Sequence, residues 1–391
     1  MDVLTRERAK PALPFAGVYQ LVDFPLSNLA HSGVTDVWLS LQFQGATLEE
    51  QVANGRPWDL DRSHGGLRLL MPEQGTGTLD EEGFAQGNAD GLFRIRAQIA
   101  AEAPDVVVVL SADHVYRLDY TEVIDAHLAA GAECTIVTTE VPIGEAGDHG
   151  VVVTGDDDRV TDFAYKPEDP ETGTIAAEII VYDPLVLVTV LEELHRELGA
   201  DSDAGDTGIG DFGDHLVPRL VERGATYAWA LGGYWRDVGQ PHHYLQAHQD
   251  VLTDDVGVLA VPGWPILTRQ PQRVPGRVLD GGHVVDSMLS PGSRVAGTVV
   301  RSVIGPGVVV EAGAEVHDSV VFADSVVLAG SRVHWAVVDT RCSIGPDARV
   351  GEPEADGTGD PDAVTLVGQG SVVGDGVKLA AGARLEPGSS A

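Results

Sequence analysis

Ile304-Gly-Pro-Gly-Val-Val-Val310-Glu-Ala-Gly-Ala-Glu-Val316-His-Asp-Ser-Val-Val-Phe322-Ala-Asp-Ser-Val-Val-Leu328 puts an apolar residue at every sixth position. The spacing continues at Val338, Ile344 and Val350. It returns at Val367, Val373, Leu379 and Leu385 after an acidic, Gly-rich insert at Gly351–Asp362. A helix would repeat near 3.6 and a sandwich strand at two, so neither explains a period of six. A left-handed parallel β-helix does: each short face of a coil turns one apolar residue inward, and stacked turns build a continuous core. The period predicts such a domain over residues 285–391.

Upstream, Pro262, Pro265, Pro271 and Pro275 lie in a Pro- and Gly-rich stretch, so 251–284 reads as a connecting segment. Residues 1–250 alternate β-branched runs with helix-like segments, the pattern of an α/β domain with a mostly parallel sheet. Val106-Val-Val-Val-Leu110 reads as a fully buried strand leading into Ser111-Ala112-Asp113-His114. Asp119 is placed as the N-cap of a helix that stops at Gly131, and Thr135–Thr139 as the next strand. In such a strand–helix–strand unit ligands gather at the carboxyl ends of the strands. Asp113 is put there by the pattern itself.

With 391 residues, two domains are expected. No run approaches the roughly 20 apolar residues of a membrane span, and the first residues carry no apolar signal segment. Cys134 and Cys342 are too few for a disulfide framework or a cysteine zinc site, so a reducing cytoplasm is the expected location. The net charge of −35 argues against nucleic-acid binding. Lysine occurs only at positions 10, 166 and 378, against 22 arginines. A chain that uses arginine so freely keeps lysine where a compact ammonium on a flexible stem is wanted.

Six segments, in order, carry a family resemblance: Leu4–Pro11 with Asp23–Asn28, Gly87-Asn88-Ala89-Asp90, Ser111–Tyr116, Asp162–Pro167, Asp211-Phe212-Gly213 and Gly233–Gly239. Together with the hexapeptide coil they resemble the sugar-nucleotide pyrophosphorylases, and among them the glucose-1-phosphate adenylyltransferase family. The resemblance implies a Rossmann-like nucleotidyltransferase domain. It also implies a reaction in which a sugar 1-phosphate oxygen attacks the α-phosphorus of ATP or another NTP and pyrophosphate leaves. Charge neutralisation and positioning carry such a displacement.

By the same resemblance Lys10 meets the triphosphate and is catalytic with Asp113. Asp113 and Asp237 are the carboxylates that hold Mg²⁺. Lys166 binds the sugar phosphate. Gly87, Asn88 and Asp90 form the nucleotide-base segment, and Gly150, Tyr165 and Glu178 line the sugar side. ADP-glucose for glycogen-type polymers is the implied product, and a homo-oligomer, a tetramer, the implied assembly.

The pattern departs at several positions. Tyr165 stands where the family has a glutamate before its lysine, and Ala85 replaces a tyrosine. Ala176 and Glu178 fall near an expected Ser-Met-Gly triplet. The family's opening strand and Gly-Gly-x-Gly-x-Arg loop would precede the first residue given. A start codon placed too far downstream is expected over an evolved deletion, and without that loop the activity of the chain as given is left open. The alternative function is a non-catalytic regulatory or structural subunit of the same family that assembles with an active partner. An acyltransferase in the coil would need a basic histidine, and His317 and His334 sit in no motif for one.

Overall fold

The computed structural model describes residues 1–71, 85–199, 207–253, 256–270, 272–352 and 361–391. Most of the insert read at Gly351–Asp362 lies outside the described residues. A small hairpin, β1 (Pro14–Phe15) and β2 (Tyr19–Gln20), leads into α1 (Asp23–His31). Next come the parallel pair β3 (Asp36–Ser40) and β4 (Gly66–Leu70), with α2 (Gly45–Val52) between them. After α3 (Asn88–Glu102) the chain forms β5 (Val107–Leu110), β6 (His114–Tyr116), α4 (Tyr120–Ala130) and β7 (Cys134–Glu140).

The local signals explain this unit. The Asp119 carboxylate accepts from the Thr121 amide at 3.0 Å, supplying one partner the helix start lacks. Gly131 ends the helix in the left-handed region, with φ +58°. In α5 (Pro184–Leu198), Asp183 caps the Val186 amide at 2.9 Å. Its buried Leu187, Val190, Leu191 and Leu194 recur at helical spacing. Each buried side chain of this kind contributes roughly 1.5–3 kcal/mol, so a charge at Leu191 would detach the helix from the sheet.

The main sheet also contains β8 (Gly150–Thr154), β9 (Val160–Tyr165), β10 (Thr174–Tyr182) and β11 (Thr226–Ala230). It is mixed. β5, β7 and β11 run one way, but β10 lies antiparallel between β5 and β7. A run of hydrophobic β-branched residues cannot announce strand direction, so this inserted strand was not legible as such. Val107–Leu110 is also only half-buried rather than fully buried. It pairs β10 along one edge and no other strand among the described residues.

From Arg277 onward the chain winds into three parallel sheets of six short strands. The first strand, Arg277–Val278, and the start of the second, His283–Val285, fall within the stretch read from sequence as connector, because coil turns share its Gly- and Pro-rich composition. Val295, Val310, Val327, Ile344 and Val373 stack in one column, while Val299, Val316, Val333 and Val350 form another. A full turn between equivalent positions such as Val310 and Val327 takes 17 residues rather than 18. The inward positions therefore slip by one. Val321 and Val327, not Phe322 and Leu328, belong to the coil interior. Phe322 instead faces the first domain, 6.2 Å from the Tyr244 ring and 5.7 Å from His248. Phe15, Phe24, Tyr244, Val303, Val320 and Phe322 form one buried cluster that joins the two domains. No helix among the described residues is long and apolar enough to cross a membrane.

Candidate active site

The short strand β6 follows β5 directly, and β12 (Trp235–Asp237) pairs with it antiparallel. That register sets Asp237 opposite His114 and so beside Asp113. A slip of one residue would turn Asp237 to the other face. Lys10 opens a one-turn helix, Lys10–Ala12, anchored by the Val22 amide donating to the Pro11 carbonyl. Its ammonium lies 2.7 Å from an Asp113 oxygen and 3.4 Å from one of Asp237.

Three residues separated by more than a hundred positions thus meet in a half-buried cluster. Burial works against ionisation of Asp113, but His114 and Lys10 more than offset it and hold the carboxyl down to about 2. Asp237 is likewise held below its usual range, its burial outweighed by Lys10 and His114. Burial opposes the charge on Lys10 as well, yet the two carboxylates keep its pKa above the ordinary value.

His114 is buried at the centre. Its Nδ1 lies 3.3 Å from the Ala177 carbonyl, and its Nε2 is 3.6–3.7 Å from oxygens of Asp113, Glu178 and Asp237. Glu178 reaches the cluster by an unusual route. Between Ala176 and Ile180, β10 bulges against β7, and Glu178 adopts φ +56°. Glycine accepts that conformation without strain, which accounts for the glycine of the Ser-Met-Gly triplet in the resemblance. Here a carboxylate projects there instead, exposed among buried neighbours.

Lys166 also has a positive φ, +48°, and its ammonium lies 4.9 Å from the centre of the Tyr165 ring, exposed to solvent. Tyr165 donates to Asp211 at 3.3 Å. Gly150 sits against Phe163, where a Cβ would come within 2.6 Å of the ring. Gly87 caps α3 against the Gly210 backbone, which a Cβ would strike at 2.3 Å. The Asn88 amide donates to Asp211 at 3.0 Å, and its side-chain oxygen accepts from the Phe212 amide at 2.6 Å. Asp90 is fully buried and held within the fold by Arg94, Thr207 and the Gln86 amide. Gly87, Asn88 and Asp90 thus shape the start of α3, whereas Lys10, Asp113, Asp237 and Glu178 converge on one another.

Sequence reasoning did not anticipate His149, whose ring packs 5.7 Å from Trp235 and whose carbonyl accepts from the Lys166 amide. Its position next to Gly150 was the one available signal. A cleft of about 400 Å³ opens beside Lys10, lined also by Pro11, Ser40, Gln42, Phe43 and Gly239. The Gly239 amide donates to Asp237 at 2.8 Å, which ties the cleft wall to the carboxylate pair.

Residues 2–254 match the model of the nucleotidyl transferase family, and residues 274–373 the "GlmU-like, C-terminal hexapeptide" model. Glucose-1-phosphate adenylyltransferase of Thermomicrobium roseum is 36% identical over 99% of this chain and 90% of its own length. The enzyme of the same name from Acetivibrio thermocellus is 30% identical over the same shares, and that from Thermotoga maritima 36% identical over 81% and 73%.

The chain belongs to the glucose-1-phosphate adenylyltransferase family.

As a member of that family it is a nucleotidyltransferase with a hexapeptide-repeat domain, and its relatives do not favour the alternative of a non-catalytic subunit. Nucleotidyltransferases of this kind generally use a divalent metal. The residues present fit one. A single ammonium cannot neutralise two ionised carboxylates and a nearby third, and oxygen donors of this kind suit a hard cation.

Proposed function

We propose that this protein joins ATP and glucose 1-phosphate into ADP-glucose and pyrophosphate, the activated sugar for glycogen-type polymers, with Mg²⁺ as cofactor. The observation that carries this reading is the convergence of Lys10, Asp113 and Asp237 beside a cleft large enough for a nucleotide. Asp113 and Asp237 would hold the cation. When bound, it supplies positive charge to the phosphate oxygens and draws the two anionic substrates together.

The protein's own groups do the rest. Lys10, held 2.7 Å from Asp113 at the mouth of the cleft, places its ammonium on the triphosphate. Lys166, exposed over the Tyr165 ring, binds the phosphate of the sugar. Fixing both anions in line lowers the barrier by positioning and charge, with no strong base required. His114 spans the carboxylates and keeps their orientation. Gly150, Tyr165 and Glu178 line the sugar side, and Gly87, Asn88 and Asp90 set the start of α3 near the base.

The domain limits read from sequence (1–250, 251–284 and 285–391), with the coil extended back to Arg277, a homo-oligomer (a tetramer by resemblance) and a cytoplasmic location complete the reading. The test is a matrix of nucleoside triphosphates against sugar 1-phosphates, read as pyrophosphate released with and without Mg²⁺. ATP with glucose 1-phosphate should give the highest kcat/KM. Turnover confined to another pair would replace the substrate assignment, and no turnover with any pair would overturn the reading.

A further inference from the structure

The coil carries a second set of ligating side chains, distant in sequence from the site above. The strand Glu315–His317 pairs in parallel with Arg332–His334, with Glu315 opposite Arg332 and His317 opposite His334. Val316 and Val333 point into the coil, so the residues on either side of each point outward on one face. The ladder thereby stacks two imidazoles on successive turns, with ring centres 4.8 Å apart and planes 3° from parallel. Glu315 is their neighbour two residues along. One ligand atom from each of the three lies within 4.8 Å of the others, and all three residues are half-buried.

First, no described residue hydrogen-bonds the ring nitrogens of His317 or His334, so both imidazoles have lone pairs or N–H groups to offer. Second, burial and the neighbouring His317 lower the pKa of His334, which favours the neutral, ligating form at pH 7. Third, the next turn carries Gly351 in the same column, with φ +70°. A Cβ there would come within 2.1 Å of the His334 carbonyl oxygen, so no side chain can stand over the second ring from that position.

We propose that Glu315, His317 and His334 bind one divalent transition-metal cation of the Zn²⁺ class on the outer face of the coil. Two imidazole nitrogens with one carboxylate oxygen form a borderline donor set that suits Zn²⁺, Ni²⁺ or Co²⁺ rather than the harder Mg²⁺. Metal–nitrogen bonds of about 2.0–2.1 Å require the two rings to tilt toward one another from their stack. Their half-exposed position allows it. Glu315 must also leave Arg332, whose Nε stands 3.6 Å away. The bound cation then ties two successive turns of the coil together and keeps at least one coordination position open.

The probe is Co²⁺, followed by its visible absorption, added to chelator-treated full-length protein in saturating Mg²⁺. Zn²⁺ is then used to displace it. One equivalent of Co²⁺ should give bands typical of nitrogen ligation, and Zn²⁺ should abolish them. His317→Gln and His334→Gln should each weaken binding at least tenfold while leaving far-UV circular dichroism and pyrophosphate release unchanged. Arg332→Ala, which frees Glu315, should tighten it. Zn²⁺ should raise the melting temperature of the unaltered protein but not of either histidine variant. Equal Co²⁺ binding and an equal Zn²⁺ shift in the His317→Gln/His334→Gln protein would overturn the proposal. Loss of the bands in His242→Ala or His243→Ala, the adjacent pair on another element, would overturn it too.

Discussion

Replacing Arg8 by alanine tests how the coil holds the segment that carries Lys10. Arg8 is almost fully buried and donates to Asp339 at 2.9 Å and to the Gln369 side-chain oxygen at 2.5 Å. Asp339, at 1% exposure, is buried still more deeply. Its pKa is raised because burial outweighs the help of Arg8. Without Arg8 the carboxylate has no cation, so the folded protein takes up a proton there. For a carboxyl with an unfolded pKa of about 3.9, protonation at pH 7 costs about 1.36 kcal/mol per unit, which sets a ceiling of about 4 kcal/mol. The loss is smaller by the part that the raised pKa of Asp339 already costs the unaltered protein.

That ceiling matches the roughly 3–5 kcal/mol typical of breaking a buried pair on one side. The sign follows from the raised pKa. The penalty is full at neutral pH and shrinks as pH falls toward the unfolded value, to about 1.5 kcal/mol at pH 5. Urea unfolding of Arg8→Ala against the unaltered protein, at pH 7 and pH 5, measures it. The Arg8→Ala/Asp339→Asn protein should lose the pH-dependent part. A loss below about 1 kcal/mol at pH 7, or an equal loss at pH 5, would show that Arg8 does not neutralise Asp339.

Other outcomes follow from the site. Glu178→Gly should leave stability unchanged or raise it by about 0.5–1 kcal/mol, because glycine relieves the positive φ. It should also change KM for the sugar 1-phosphate more than for ATP, as steady-state kinetics would show. Lys166→Gln should raise that same KM at least tenfold with little change in melting temperature, since the ammonium is exposed. Asp113, with its pKa lowered to about 2, contributes stability that is present above the unfolded carboxyl value and is lost as pH falls toward 2. The difference in urea midpoint between Asp113→Asn and the unaltered protein should therefore hold from pH 5 to 8 and fade toward pH 3.

Much of this architecture was legible because its signals are periodic or local. The six-residue spacing specified a coil, and Asp119 and Gly131 marked both ends of α4. What escaped depended on non-local geometry. The 17-residue turn shifts the inward phase by one after Val316, which sends Phe322 to the domain interface instead of the coil core. The inserted antiparallel strand β10 reads like any other apolar run. Motif resemblance singled out Lys10, Asp113 and Asp237, but only the pairing of β6 with β12 shows how they meet. Glu178 needed the bulge in β10 to reach them.

The proposed role of Asp113 and its partners in nucleotidyl transfer is tested most directly by activity. Pyrophosphate release from ATP and glucose 1-phosphate, with and without Mg²⁺, should be compared between the unaltered protein and Asp113→Ala. Mg²⁺-dependent turnover should fall at least a hundredfold in Asp113→Ala, with far-UV circular dichroism unchanged. Turnover that is undiminished in the variant would contradict that role.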